Sequence, residues 1–127
     1  MPPLIVTAAV LRKDGHILIT RRPEGKPHEG FWEFPGGKLE PDESPEECLK
    51  REIGEELALE IDVQGIFEVI YHRYDWGPVL LLFYDCRPRG DRIHDREVAE
   101  HRWVLAQDLP RYPLLPADAP LVTKLIG

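Results

Sequence analysis

The chain alternates between short apolar runs rich in β-branched residues and polar segments that contain glycine, proline or charged side chains. Residues 4–11 form the first run, and residues 16–20 follow it after a turn at 14–15, so this part predicts a β-hairpin. Residues 61–74 predict a long strand with a bend at its Gln-Gly pair. The almost continuous apolar run at residues 79–86 predicts a strand in the middle of a sheet.

Shorter elements complete this pattern. Residues 31–34 and 102–104 predict short strands, and residues 75–78 predict a turn because they contain adjacent glycine and proline. Residues 116–126 predict a final helix with its apolar side chains turned inward. No internal repeat or linker-like segment interrupts the sequence.

One segment, residues 44–59, has the spacing of an amphipathic helix. Ser44 suits the N-cap position, Pro45 suits the first helical position, and Glu47 stands three residues after the cap, which is the capping-box pattern. The apolar side chains that recur at intervals of four residues are Leu49, Ile53 and Leu57. This spacing predicts the buried stripe of the helix.

Three glutamates share one face of this predicted helix. Glu52, Glu55 and Glu56 are spaced i, i+3 and i+4, and their arc borders the apolar stripe. Like charges at this spacing repel each other, so a cation should compensate them, and Mg²⁺ or Mn²⁺ suits several oxygen ligands. The alternative is a solvated acidic face stabilised by pairs such as Glu47 with Arg51.

Length and composition limit the classes of function. A chain of 127 residues with 43% hydrophobic residues predicts one domain with its own core. The formal net charge of −7 argues against binding to polymeric nucleic acid but not against a nucleotide, because a divalent cation can bridge carboxylates and phosphates. Cys48 and Cys86 have neither disulfide nor zinc-site spacing. Without an apolar run of transmembrane length or a signal-peptide pattern, we expect no membrane association and a cytoplasmic location.

A motif that begins before the predicted helix carries a family resemblance. Gly37 is followed six positions later by Glu43, then by the segment REIGEE at residues 51–56, and then by Leu59. This order resembles the Nudix box, and only Ala58 departs from it, since the family has glycine there. If this position has a positive φ, the alanine costs about 1 kcal/mol. If the position is helical, alanine is the better residue.

The resemblance extends to both sides of the box. Residues 32–38 (WEFPGGK) are similar to the approach to the box in the MutT branch of the family, and residues 115–122 are similar to the end of MutT-like proteins. Residues 106–109 resemble a short helical turn that is common in the family. The resemblance implies a single Nudix domain over residues 1–127, an α/β/α sandwich with a mixed β-sheet between helices. It also implies a small-molecule nucleotide as substrate, and we expect a monomer or a homodimer.

The resemblance further implies a metal site. Glu52, Glu55 and Glu56, the carbonyl group of Gly36, and Glu97 are expected to hold one or more Mg²⁺ ions, with Mn²⁺ as an alternative. Glu52 or Glu97 is expected to take a proton from the water that attacks a diphosphate bond. The alternative for Glu97 is an ordinary solvated position in a loop.

Basic residues have implied supporting roles. Arg51 is expected to orient the glutamates, because arginine stays charged and does not carry a proton. By resemblance, Arg22 is expected to bind the triphosphate, although an exposed basic strand end explains it as well. Lys38 is either a phosphate contact or a surface lysine, and Glu43 is expected to support the loop or the outer shell of the metal.

Three residues are candidates for binding the base. Phe34 can line the base pocket or belong to the core, and Trp76 can stack on a base or pack at its turn. Asp118 stands where MutT has asparagine. An ionised aspartate only accepts hydrogen bonds, which suits the amino group of cytosine, whereas a protonated one could serve oxidised guanine. The alternative for Asp118 is the N-cap of the last helix.

The resemblance therefore implies a Mg²⁺-dependent hydrolase that converts nucleoside triphosphates to monophosphates and pyrophosphate. The first expectation is an 8-oxo-dGTP diphosphatase, which would prevent mutations during DNA replication. The alternatives are a pyrophosphohydrolase of CTP or modified dCTP, a nucleotide-sugar hydrolase, and a Nudix module that binds nucleotides without catalysis.

Overall fold

A computed structural model describes residues 2–127 of the chain. Within this range seven strands form one mixed sheet, and a helix packs on each face. In chain order the elements are β1 (Leu4–Lys13), β2 (His16–Arg21), β3 (Trp32–Glu33), β4 (Gly36–Lys38), α1 (Pro45–Leu57), β5 (Ile61–Tyr74), β6 (Gly77–Pro88), β7 (Glu100–Val104), a 3₁₀ helix (Ala106–Arg111) and α2 (Ala119–Ile126). None of these helices has both the length and the hydropathy needed to cross a membrane.

The central strand β1 organises the sheet. One edge of β1 pairs in parallel with β6, and β5 continues the sheet beyond β6 in an antiparallel direction. The other edge of β1 pairs with β2 only next to the turn that joins them. Further from the turn, β4 pairs with β1 and β3 pairs with β2. The two short strands that precede the box are therefore held between the diverging halves of the hairpin.

Side chains of β1 alternate between two apolar cores. Ala8 and Val10 belong to the core that α2 covers, and Ala9 and Leu11 belong to the core that α1 covers. This alternation follows from the two-residue period of a strand. On the second face α1 contributes the predicted stripe, whose members Leu49, Ile53 and Leu57 are fully buried. Burying one such side chain contributes about 1.5–3 kcal/mol, so the stripe fixes which face of α1 is exposed.

Both ends of α1 are defined by local hydrogen bonds. At the start, the Ser44 hydroxyl accepts from the Glu47 backbone N–H at 3.2 Å, and the Glu47 carboxylate accepts from the Ser44 N–H at 2.8 Å. The predicted capping box is therefore present. At the end, Ala58 has φ 53° and ψ 36°, and its N–H donates to Gly54 O at 3.0 Å. Of the two alternatives for this position, the left-handed conformation is the one observed.

Several predicted bounds differ from the structure, each for a physical reason. The short strand predicted at 31–34 ends at Glu33, because the Phe34 N–H donates to a side chain and not to a neighbouring strand. The turn predicted at 75–78 is two residues shorter, since Gly77 already pairs with Tyr74 in a tight hairpin.

The C-terminal third also differs in detail. The helix predicted at 116–126 begins at Ala119, because Leu115 O accepts from the amides of Asp118 and Ala119 in a separate turn. The strand predicted at 102–104 begins at Glu100, and the helical turn at 106–109 extends to Arg111. The bend predicted within β5 is confirmed, since two register shifts against β6 lie between residues 63 and 68.

Candidate active site

A cleft of about 490 Å³ opens where β1 and β6 begin, on the face of the sheet that α2 covers. Its apolar lining includes Leu4, Val6, Val79, Leu81 and Ala117. Its polar and aromatic lining includes Arg22, Glu33, Lys38, Tyr74, Trp76 and Asp118. A cavity of this size, mostly apolar with a few polar groups, suits a flat heterocycle that carries polar substituents.

Two adjacent glycines in β4 bring the box helix close to this cleft. A Cβ atom at Gly36 would overlap the carbonyl group of Thr7 in β1, and one at Gly37 would overlap the carboxylate of Glu52 in α1. Glycine is therefore required at Gly36, where a Cβ atom would meet the backbone of β1, whereas a Cβ atom at Gly37 would displace the end of the Glu52 side chain. The Glu52 carboxylate lies against Gly37, one residue from the carbonyl group of Gly36.

Arg51 is the centre of an ion-pair network on the box helix. Its guanidinium donates to both carboxylate oxygens of Glu43 at 2.7 and 3.0 Å, to Glu52 at 2.9 Å and to Glu55 at 3.2 Å. It also donates to the backbone carbonyl of Lys38 at 3.3 Å. The planar fork of arginine suits this arrangement, in which one side chain orients three carboxylates and a loop.

Within this network Glu43 has a different role from the other box glutamates. The hydrogen bonds from Arg51 are the largest cause that lowers the pKa of Glu43 to about 2, so Glu43 stays ionised and acts as a fixed anchor for the arginine. The same contacts raise the pKa of Arg51 above its ordinary value. Glu43 lies eight residues before Arg51 and holds the loop before α1 against the helix, which agrees with the supporting role expected for it.

Glu56 is a largely buried carboxyl group that lies near other carboxyl groups. Burial is the largest cause that raises its pKa to about 10, followed by a hydrogen bond with Glu52 and by the negative charges of Glu33, Glu52 and Glu97. Four carboxyl groups from three different parts of the chain therefore converge at the C-terminal half of α1. A cation at this point would offset their mutual repulsion.

The oxygen atoms of these carboxyl groups suit a hard divalent cation, but the side chains do not adopt the geometry of a metal site. Within residues 2–127, no group of three His, Cys, Asp or Glu side chains has metal-binding geometry. Arg51 donates hydrogen bonds to both Glu52 and Glu55, so these two carboxylates are directed toward the arginine. Carboxylate and carbonyl oxygens remain the ligands that Mg²⁺ and Mn²⁺ prefer.

The loop before β7 brings Glu97 to this cluster. The backbone N–H groups of Arg96 and Glu97 both donate to Glu56 O, at 2.9 and 3.2 Å. The loop thus satisfies a carbonyl group at the end of α1 that the helix itself leaves free. Glu97 has an exposed side chain, and its charge acts on the Glu56 carboxyl.

Asp118 lines the cleft and is almost completely buried, with 3% of its surface exposed. Asp118 occupies the N-cap position of α2, as the alternative proposed, but its side chain makes no cap hydrogen bond there. Its Oδ2 instead accepts from the Phe34 N–H at 3.0 Å. Burial, and then the charge of Glu33, raises the pKa of Asp118 to about 8. Phe34 lines the cleft but also packs edge-on against Phe83 at 5.9 Å in the core.

Arg22 reaches the cleft beside a residue that sequence analysis missed. Its guanidinium donates to both carboxylate oxygens of Glu33 at 3.0 and 3.2 Å, and its Nε donates to Pro27 O at 2.6 Å. Glu33 lines the cleft, and its charge acts on both Asp118 and Glu56. The available signal was its position between two buried aromatic residues in the motif WEF.

The remaining candidates lie at the mouth of the cleft. Trp76 is 61% exposed and stacks on Tyr74, with ring planes 9° apart and centroids 5.4 Å apart. Tyr74 also lines the cleft, so the pair forms an aromatic wall. Lys38 has an exposed side chain that lines the cleft, while its carbonyl group accepts from Cys48 and Arg51.

A larger, more open depression of about 750 Å³ lies at the β1–β2 turn, away from the glutamates. Its lining includes Arg12, Lys13, Asp14, His16 and Arg87. Arg12 is already paired with Asp85 at 2.7 Å, and His16 Nδ1 lies 2.9 Å from the backbone carbonyl of Asp14, so these titratable side chains do not form an acid–base pair with each other. The chemistry of the molecule is therefore concentrated in the smaller cleft.

Comparison with known proteins shows which family the whole chain is similar to. The model of the NUDIX domain matches residues 1–125. A CTP pyrophosphohydrolase from Escherichia coli (strain K12) is 38% identical over 130 residues, which cover 100% of this chain and 94% of that protein. An 8-oxo-dGTP diphosphatase from Haemophilus influenzae is 32% identical over 123 residues, which cover 96% of this chain and 90% of that protein.

Solved structures are also similar to this chain over almost its whole length. The solution structure of the E. coli ORF135 protein has a TM-score of 0.82 and 32% identity, and the match covers 99% of this chain and 90% of that chain. The crystal structure of the MutT protein from Methanosarcina mazei Go1 has a TM-score of 0.87 and 26% identity, with 98% and 94% covered. The predicted sandwich with a mixed sheet is confirmed, and the chain belongs to the Nudix hydrolase family.

Proposed function

We propose that this chain is a Mg²⁺-dependent nucleoside triphosphate pyrophosphohydrolase, which releases a nucleoside monophosphate and pyrophosphate. The observation that carries the proposal is the continuity between the apolar cleft and the carboxylate cluster. Glu33 lines the cleft and acts electrostatically both on Asp118, which also lines the cleft, and on Glu56 of the box helix. A nucleotide whose base lies near Asp118 therefore has its phosphates directed toward the box helix.

The ligands proposed for Mg²⁺ are the carboxylates of Glu52, Glu55, Glu56 and Glu97 and the carbonyl group of Gly36. This set contains only oxygen donors, and Mn²⁺ is expected to substitute for Mg²⁺. When bound, the ion neutralises phosphate charge and lowers the pKa of a water molecule. The packing of Glu52 against Gly37 supports this assignment, since it places a carboxylate beside the Gly36 carbonyl.

The side chains of the protein then supply positioning and proton transfer. Glu52 or Glu97 accepts the proton of the attacking water as a new P–O bond forms and the bond to the pyrophosphate group breaks. Arg51 orients Glu52 and Glu55 and stays protonated throughout. Arg22 and Lys38, which both line the cleft, contact the phosphates. Arg22 would exchange part of its pairing with Glu33 for phosphate oxygens.

We propose 8-oxo-dGTP as the preferred substrate, which would give the chain a role in mutation avoidance. The raised pKa of Asp118, about 8, keeps this carboxyl protonated over much of the neutral range, so that it both donates and accepts hydrogen bonds. That property imitates the asparagine of MutT. Phe34 and the exposed ring of Trp76 supply apolar faces for the base.

A second candidate is a pyrophosphohydrolase of CTP or modified dCTP. Two observations favour it: an ionised Asp118 would accept from the amino group of cytosine, and the relative with 38% identity is named a CTP pyrophosphohydrolase. A nucleotide-sugar hydrolase and a module that only binds nucleotides have less support. All the box glutamates are present, and Arg51 holds two of them in an ordered network.

The test is a substrate panel with Mg²⁺ that includes 8-oxo-dGTP, dGTP, CTP and dCTP at low micromolar concentration, with release of pyrophosphate as the readout. The highest kcat/KM for 8-oxo-dGTP supports the first substrate. The highest kcat/KM for a cytidine nucleotide replaces it with the second candidate. The absence of hydrolysis across the panel contradicts the proposed reaction.

A further inference from the structure

The loop that carries Glu97, which we define as residues 94–99, is fastened at both ends by backbone hydrogen bonds. On one side its amides donate to the last carbonyl groups of α1, as described for Glu56, and the His94 N–H donates to Leu57 O at 2.9 Å. On the other side the Ala99 N–H donates to Arg21 O in β2 at 2.9 Å. The loop therefore crosses from the box helix to the sheet with Glu97 between these attachments.

One pair of side chains also joins this loop to the sheet. Asp95 Oδ1 and His101 Nδ1 are 2.6 Å apart, which joins the middle of the loop to β7. His101 stands opposite Thr20 in β2, so it belongs to a paired strand and not to the loop. Both side chains are about 30% exposed, at 31% for Asp95 and 28% for His101. Because a carboxylate only accepts, the hydrogen bond places the proton on Nδ1 of the histidine.

The carboxylate of Glu97 has no comparable support of its own. Within residues 2–127 it accepts no hydrogen bond, and its side chain is exposed. Its distance from Glu56 is therefore set by the backbone of the loop. Asp95 lies two residues before Glu97 and between His94 and Arg96, whose amides, together with that of Glu97, hold the loop to α1. The Asp95–His101 bond restrains the part of the loop that decides where Glu97 stands.

We propose that Asp95 and His101 are positioning residues that hold the Glu97 loop against the end of α1, so that Glu97 can act together with Glu52 and Glu56. This inference rests on the proposed function, because it assigns a use to the position of Glu97. It gives His101 a role through Asp95 and through the loop backbone, without contact to the nucleotide. Residues that orient a ligand in this way typically change metal affinity or activity about 10–100-fold when they are removed.

An exposed ion pair by itself has little effect on stability, with a median near 0–1 kcal/mol. The proposed effect is therefore on the loop and on metal binding, and not on the stability of the fold. The chain offers a matched control. Asp62, at the start of β5, and Arg89, directly after β6, form another exposed pair at 2.7 Å, and this pair makes no side-chain hydrogen bond to residues 94–99.

The experiment compares Asp95→Ala, His101→Ala, His101→Asn and His101→Gln with the control Asp62→Ala. The asparagine amide can replace Nδ1 as the donor, whereas the glutamine amide reaches the position of Nε2. Three quantities are measured: hydrogen exchange of the Arg96 and Glu97 amides by NMR, Mn²⁺ binding by electron paramagnetic resonance, and kcat and KM. The first two do not depend on the identity of the substrate.

For Asp95→Ala, His101→Ala and His101→Gln we expect faster exchange of both amides, about tenfold weaker Mn²⁺ binding and about tenfold lower kcat, with KM within about twofold of wild type. His101→Asn should restore all three, the double variant Asp95→Ala/His101→Ala should be no worse than either single variant, and Asp62→Ala should equal wild type. Unchanged exchange and Mn²⁺ binding in the alanine variants would overturn the proposal.

A failure of the proposed function gives a different pattern. In that case Glu97→Ala leaves Mn²⁺ binding unchanged, while the amides of the loop still exchange faster in Asp95→Ala. Equal effects of His101→Asn and His101→Ala would also overturn the positioning role, because they would show that the Nδ1 hydrogen bond is not what matters.

Discussion

The carboxylate of Asp118 accepts a hydrogen bond from the backbone N–H of Phe34 at 3.0 Å, although the two residues are 84 positions apart in the chain. This bond fastens the segment before α2 to the end of β3, from which the chain continues into the Nudix box. Because Asp118 also lines the cleft, one buried side chain contributes both to the fold and to the surface that a base would meet.

Asp118→Asn tests the base-binding role while it keeps an acceptor for Phe34. We expect the fold to persist and the ratio of kcat/KM for 8-oxo-dGTP over CTP to rise, because an amide donates as well as accepts. Asp118→Ala should instead leave the Phe34 N–H without its partner and lower the free energy of unfolding by about 1–3 kcal/mol, measured in urea. The base-binding role is wrong if both variants rank the triphosphates as wild type does.

The stability of the protein should depend on pH through the same residue. Burial raises the pKa of Asp118 to about 8, so the folded chain binds this proton more tightly than the unfolded chain, whose aspartate has a pKa of about 4. The stabilising contribution is complete below about pH 4 and is lost as the pH rises through about 8.

The difference between wild type and Asp118→Asn isolates this effect from other titrating groups. Wild type should lose free energy of unfolding relative to the variant by up to about 1.4 kcal/mol per pH unit across this range. Urea unfolding of both proteins at several pH values measures the difference. A difference that stays constant with pH would mean that Asp118 is not protonated preferentially in the folded state.

Gly37→Ala should inactivate the enzyme through Glu52. A Cβ atom at this position overlaps the Glu52 carboxylate, and a displacement of about 1 Å at a reacting group can cost on the order of 100-fold in rate. Gly54→Ala is the matched control, because no atom lies within 4 Å of a Cβ at that helical position. The control should keep wild-type kcat and gain about 0.5–1 kcal/mol of stability. Equal activity of the two variants would refute the steric argument.

Ala58→Gly should stabilise the protein. Ala58 ends α1 with φ 53°, a left-handed conformation that costs a non-glycine residue about 1 kcal/mol. The gain should appear as a higher urea midpoint with an unchanged m-value and unchanged kcat. Ala119→Gly, at the start of α2, provides the comparison and should give no gain. A loss of stability in Ala58→Gly would show that the strain is not relieved by glycine.

The parts of the fold that sequence analysis predicted correctly depend on neighbours in the chain. The capping box of Ser44 and Glu47, the stripe that begins at Leu49 and the hairpin of β1 and β2 all depend on contacts within a few residues or on a regular period. The family resemblance then supplied the long-range arrangement, and the structure confirmed it as a sandwich around one mixed sheet.

The features that could not be predicted depend on distant contacts or on backbone angles. No local pattern indicates that Glu33 pairs with Arg22, or that Asp118 turns from the start of α2 toward Phe34. The φ angle of Ala58 could not be predicted either, since an alanine at this position is compatible with both the helical and the left-handed conformation. The metal ligands stay predictions, because Arg51 and the glutamates pair with one another in the described structure.

The central claim is that Glu52 and its neighbours catalyse cleavage of a nucleoside triphosphate into monophosphate and pyrophosphate. The most direct test is ³¹P NMR of the products from 8-oxo-dGTP and CTP with Mg²⁺, for wild type and for Glu52→Gln, with thermal unfolding to show that the variant is folded. We expect equal amounts of monophosphate and pyrophosphate from wild type, and a kcat lower by orders of magnitude in the folded variant. Diphosphate and inorganic phosphate as products, or near wild-type turnover in Glu52→Gln, would contradict the account.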